Sequence, residues 1–159
     1  MLIGESLINE AFDSWLEKYG FDARIRGLEN DFFWGLDTDT ISYSFVHTER
    51  FITEFTEVCN GLGLAYDIDI FWLSFFHELG HSMTYHFVDD DEVDAAEEAI
   101  GIDYYYCTRE LIATEWAVNY INEHIDLVCE LMDSVRPAII NFFVKNNIED
   151  GGVPIFESA

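Results

Sequence analysis

Basic residues are scarce in this sequence: seven Lys and Arg stand against 32 Asp and Glu, a formal net charge of −25 over 159 residues. A field of that sign repels nucleic-acid phosphate and anionic membrane surfaces, which argues against direct binding to either. Proline is nearly missing, with two in the chain, and no Pro- or Gly-rich stretch marks a linker. No apolar run approaches the roughly 20 residues needed to cross a bilayer. Cysteine is sparse too. Cys59, Cys107 and Cys129 are odd in number and widely spaced, which gives neither a paired zinc motif nor a disulfide framework and reads as free thiols in a reducing compartment. The first residues, Met1-Leu2-Ile3-Gly4-Glu5, lack the basic start and long apolar stretch of a signal peptide, so the expected location is cytoplasmic.

What is present is apolar and aromatic. Half of the residues are hydrophobic and 16% aromatic, a composition that folds rather than one that stays extended as an acidic tail. The length suits one domain, residues 1–159, with a core at about 40–146. The spread of acidic residues admits three readings: a solvated surface that maintains solubility, an attraction for a basic partner or substrate, or an imitation of the charge pattern of DNA.

Hydrophobic periodicity supplies the elements. Residues 3–19 place Ile3, Leu7, Ile8, Ala11, Phe12, Trp15, Leu16 and Tyr19 in the rhythm of an amphipathic helix that Gly20 can stop. Ala23–Arg26 suggests a short strand, and residues 31–34 suggest a turn of helix. After the turn-like 37–40, residues 41–46 alternate with period two and form the clearest strand. Thr48 can cap a helix over about 49–60, ended by Gly61 and Gly63. A further helix opens at Asp67 or Asp69 and runs to about Phe87. The acidic segment 88–94 reads as a solvated loop or helix start, without the central Gly of a calcium loop. Residues 103–124 and 126–146 form two more helices, with Pro137 kinking the second. The tail from Asp150 reads as loop. The fold class is therefore α+β, mostly helical with a small sheet.

Within the central helix stands His77-Glu78-Leu79-Gly80-His81. At about 100° per residue, His77 and His81 lie about 40° apart, one turn from each other, so two imidazoles can reach a single ion from one rigid element. Glu78 projects about 100° from His77, beside the ligands, where a carboxylate can take a proton from water instead of binding the metal. A buried helix has no packing use for two His and a Glu. Zinc sites of this kind need a third protein ligand and an open water position. The helix 103–124 offers Glu110 and Glu115. Ala113, Ala117, Ile121 and His124 fall within about 60° of Glu110, whereas Glu115 falls about 140° away beside Asn119 and Asn122. Phase therefore favours Glu110, on the small and apolar face, and leaves Glu115 as the alternative. His86 points away from His77, and His124 lies about 20 Å along from Glu110. His47, at the end of the strand, could line the cleft. Tyr85, Tyr104, Tyr105 and Tyr106 each carry a hydroxyl that could stabilise an oxyanion, and the sequence does not choose among them.

The His-Glu-Leu-Gly-His run, followed by Glu110-Leu111-Ile112-Ala113-Thr114-Glu115-Trp116-Ala117, resembles the ImmA/IrrE type of zincin metallopeptidase, a group found in phages and mobile elements. The resemblance covers about residues 40–125. It implies that His77, His81 and Glu110 are zinc ligands and Glu78 the general base. It also implies a zincin-like core in which a short sheet packs on the active-site helix, with strand 41–46 as the edge that borders the cleft and pairs with substrate. The chain departs from the family in its acidity and in Thr114, which stands where Asp or Asn is usual. The expected function is zinc-dependent hydrolysis of a peptide bond in a protein substrate, such as a basic DNA-binding protein. The competing expectation is an acidic, non-enzymatic binding protein (a DNA mimic or anti-defence inhibitor) whose zinc site is structural or degenerate.

Overall fold

A computed structural model of the chain describes residues 2–65, 68–88, 91–102 and 106–147. Asp67, Tyr104, Tyr105, part of the acidic segment and the tail from Asp150 lie outside the described residues.

The elements in chain order are α1 (Glu5–Lys18), β1 (Arg24–Leu28), β2 (Phe33–Gly35), β3 (Thr40–Tyr43), α2 (Glu49–Gly61), α3 (Ile70–Thr84) with a 3-10 turn at Tyr85–Phe87, α4 (Asp91–Ala99), α5 (Thr108–Glu123) and α6 (Ile125–Lys145). The architecture is α+β, helical in the main with a three-stranded sheet. Local chemistry accounts for most boundaries. Gly20, at φ 77°, lets the chain turn out of α1, and Phe21 N–H closes on Leu16 C=O. The Thr48 hydroxyl accepts from Phe51 N–H and caps α2. Asp69 takes the extended N-cap position before α3. Pro137 lies inside α6 without ending it.

The sheet order is β1-β3-β2, with β1 parallel and β2 antiparallel to β3. Strand β3 is therefore central, which corrects the expectation that residues 41–46 form the edge beside the cleft. The reason is β2: the aromatic run at 33–35 extends as a strand rather than turning into helix, and pairs Trp34 with Ile41 across the turn at 36–39. The edge facing α3 belongs to β2. The chain leaves β3 early, where Ser44 Oγ donates to the C=O of Asn30 and Val46.

Helix α3 runs through the middle of the molecule. Phe71, Trp72, Leu73, Phe75, Phe76 and Leu79 are fully buried on all sides of it, as expected of a helix that is apolar all round. It packs closely on α5 and receives β2 and β3 on another side, while α1 packs on β1 and α6. Phe12, Tyr43, Trp72 and Phe75 form the aromatic centre between α1, the sheet and α3. Among the described residues no helix is long and apolar enough to cross a membrane.

Candidate metal centre

Helices α3 and α5 meet where neither has a side chain to keep them apart. A Cβ built on Gly80 would lie 2.6 Å from Ala113 C=O oxygen, so this glycine is what lets the two backbones touch. That contact brings Glu110, one turn before Ala113, over the two histidines. His77 Nε2 lies 3.2 Å from Glu110 Oε1 and His81 Nε2 lies 2.9 Å from Glu110 Oε2. One donor atom from each residue falls within 4.8 Å of the others, the one such set of His, Cys, Asp or Glu among the described residues. His77 and Glu110 are buried, and Glu115 is exposed with Asn119 and Asn122.

Each member is held from behind. Thr114 is 1% exposed and its Oγ1 lies 3.0 Å from His77 Nδ1. A neutral ring with Nδ1–H donating to the hydroxyl would keep its Nε2 lone pair for a metal ion. Phe55 stands edge-on to the His77 ring at 5.3 Å. Trp34 of β2 stacks on His81, with centroids 6.1 Å apart and planes 15° apart. Trp34 is fixed in turn because its Nε1–H donates to Asp39, which also accepts from Ser82 Oγ. The Trp34 backbone N–H donates to the Glu78 carboxylate, so the same edge strand steadies both a histidine and the neighbouring acid.

The electrostatics follow from that crowding. Burial by itself would push Glu110 up, but hydrogen bonds from His77 and His81 and the charges on those rings outweigh it and hold the carboxyl well below the usual range. Burial favours neutral His81, yet the hydrogen bond it donates to Glu110 and the charges of Glu110 and Glu78 raise it above 6.5. Glu78 moves the other way. Desolvation lifts it, only partly opposed by the nearby histidines and the Trp34 N–H. Two carboxyl groups in one site are thus pushed apart, one locked as an anion and one poised to take a proton.

A cavity of about 310 Å³ opens beside this centre, lined by Glu78, His77 and Glu110 together with His47 and Ser74. His47 lines it as expected from the strand end. Of the tyrosines, Tyr85 packs against Trp34 beneath the Arg109 guanidinium, and Tyr106 is 45% exposed. His86 and His124 are exposed and apart from the cluster. The support from Trp34, Asp39 and Ser82 was not legible in the sequence. The small residues at Gly80 and Ala113 were its one trace.

Comparison with protein-family models, curated proteins and solved structures finds no match to this chain.

Proposed function

We propose that the chain is a zinc-dependent metallopeptidase with a zincin-like core, hydrolysing a peptide bond in a protein substrate. The observation that supports it is the convergence of two Nε2 atoms and one carboxylate, with a second carboxylate, Glu78, beside them and free of the ligand set. The donor chemistry fits zinc. Two imidazole nitrogens and one carboxylate oxygen are a known catalytic ligand set, and separations of 3.2 and 2.9 Å are close to the roughly 3.3 Å between ligands that bonds of about 2.0–2.1 Å give in a tetrahedron. His77, His81 and Glu110 would hold the ion. When bound, zinc supplies a Lewis acid that polarises a carbonyl and acidifies water. Glu78 takes a proton from the attacking water at its carboxylate and passes it to the leaving amine nitrogen. Thr114 keeps the His77 ring in its tautomer, and Trp34 and Phe55 shield the ligands from bulk solvent. Three cysteines outside any disulfide among the described residues suit a reducing, cytoplasmic setting.

The net charge of −25 favours basic substrates, such as DNA-binding proteins. Equal cleavage of basic and acidic peptides, unaffected by salt, removes that part. The same charge supports a second reading, an acidic binding protein whose metal is structural.

The test is zinc content by mass spectrometry on untagged protein, beside Glu110→Ala. Near one zinc per chain, lost in the variant, is expected. No metal after zinc is added back sinks the reading. Glu78→Gln then separates the two functions, since it abolishes hydrolysis and leaves a charge-based inhibitor intact.

A further inference from the structure

The cavity beside Glu78 is built for more than exclusion of water. Its depth is aromatic. Phe32, His47, Phe51 and Phe55 form a column of nearly parallel rings, with successive planes 8°, 17° and 10° apart. Asn30, Asp31 and Thr48 also line the cavity, and two further polar atoms of its lining residues stand out, Ser74 Oγ and His47 Nε2. Both are buried and neither has a hydrogen-bond partner among the described residues. Ser74 is 2% exposed on α3, one turn before His77 and Glu78. Burial holds His47 down to about 4, so near neutral pH it presents an uncharged imidazole. Two desolvated hydrogen-bonding atoms inside an apolar pocket each carry a standing cost unless something that enters the pocket meets them.

We infer that this cavity is the subsite for a tyrosine side chain flanking the scissile bond, its ring packed among Phe32, Phe51 and Phe55 and its hydroxyl meeting Ser74 Oγ and His47 Nε2. A phenol donates and accepts, so it serves His47 in either tautomer and Ser74 in either role. Phenylalanine or leucine fills the volume but leaves both polar atoms without a partner. Indole can only donate. A cationic side chain would pair with Glu78, the base that the chemistry needs free. The volume of about 310 Å³ is ample for one six-membered ring.

The placement relative to the scissile bond rests on the metallopeptidase reading, but the pocket can be tested without turnover. Binding of p-cresol, toluene and methylguanidine to full-length Glu78→Gln protein is followed by the ring resonances of Phe51 and Phe55, which line the cavity. The expected result is p-cresol bound at least tenfold more tightly than toluene, with the preference lost in Ser74→Ala and in His47→Phe, which keeps the ring stack. Equal binding of toluene, stronger binding of methylguanidine, or no binding of p-cresol overturns the inference. Peptide cleavage by the zinc-loaded chain should then show a Tyr-over-Phe ratio in kcat/KM of about tenfold or more that falls towards one in both variants. If p-cresol binds as expected and no peptide is cut, the hydrolase reading fails and the phenol pocket stands.

Discussion

Alanine at position 80 sets two terms of opposite sign against each other. In the interior of a helix, Gly→Ala ordinarily stabilises by about 1 kcal/mol, because glycine loses more backbone entropy on folding. Here the added Cβ would sit 2.6 Å from Ala113 oxygen and 3.2 Å from its carbonyl carbon and Cα. A carbon–oxygen contact relaxes only at about 3.3 Å, so α5 must retreat by about 0.7 Å. The obstructing atoms are helix backbone, which cannot swing aside as a side chain does. Overpacking of this kind costs about 1–3 kcal/mol, which cancels the propensity gain and leaves a net loss of up to about 2 kcal/mol, or a fall in Tm of up to about 8 °C for a domain of this size. The larger effect falls on the site. Glu110 rides one turn from Ala113, and metal ligands tolerate errors of about 0.2 Å, so zinc affinity should drop by about 10–100-fold. Thermal melts of the metal-free chain and zinc competition against a chromophoric chelator read the two effects separately. Gly61 is the control. It ends α2 with nothing within 4 Å of an added Cβ and no positive φ, so Gly61→Ala should be neutral or stabilising. If Gly80→Ala behaves like Gly61→Ala in both assays, the close-approach argument is wrong.

Thr114→Val keeps the shape of the side chain and deletes the hydroxyl that faces His77 Nδ1. It should cost about 1–3 kcal/mol and weaken zinc binding by about tenfold, whereas Thr114→Ser should retain most of both; unchanged zinc affinity in Thr114→Val would show that the hydroxyl does not orient the ring. The metal-free chain should have a pH-dependent stability set by the Glu110 and His81 pair. The contribution of Glu110, depressed from 4.5, is present above that value and lost as pH falls towards its folded value. That of His81, raised from 6.5, is complete below 6.5 and lost as pH rises through its folded value. Chemical denaturation across pH in the presence of chelator should therefore show a maximum between about 4.5 and 6.5 that flattens in Glu110→Gln; an identical profile in that variant would remove the pair as its cause. Finally, a chain of charge −25 repels itself, so Tm should rise by several degrees between about 10 and 500 mM NaCl. A salt-independent Tm would mean that the acidic residues are spaced too widely to matter.

The parts of the fold that were legible in the sequence are those that one element specifies alone. Helix α1 shows itself by its apolar stripe and Gly20, α2 by Thr48, and β3 by alternation. Strand β2 was misread because Phe32-Phe33-Trp34 is too short an apolar run to show a period, and because its extended state is settled by pairing with Ile41 and by Trp34 reaching α3. The parallel pairing of β1 with β3 joins segments on either side of β2, so neither local pattern records it. At the site, the four-residue spacing of the histidines and the helical phase of Glu110 sufficed to select three residues from a chain with 32 acidic side chains. Ser74 and His47 could not be selected that way. Their interest lies in buried atoms that lack partners, a property of packing rather than of spacing.

The His-Glu-x-x-His spacing fixes only two imidazoles on one helix face, an arrangement compatible with many neighbours. What makes a three-donor site of it is the distance at which the second helix arrives, and that is set outside the motif's own chemistry. Gly80 and Ala113 set the approach. Thr114, on the same face of α5 as Glu110, then reaches His77 from behind while Glu110 reaches it from the front. The start of α5 is also secured, because the Glu97 carboxylate from α4 accepts the Thr108 backbone N–H at 2.8 Å and places a negative charge at the positive end of that helix. Arg109 ties the same turn to Asp94 and to the Tyr85 carbonyl at the end of α3. The acidic side chains at 94, 97 and 110, indistinguishable by composition from the rest of an acidic sequence, thus hold one helix terminus in place over two histidines. The function of each is decided by which of its oxygens is buried and by what donates to it.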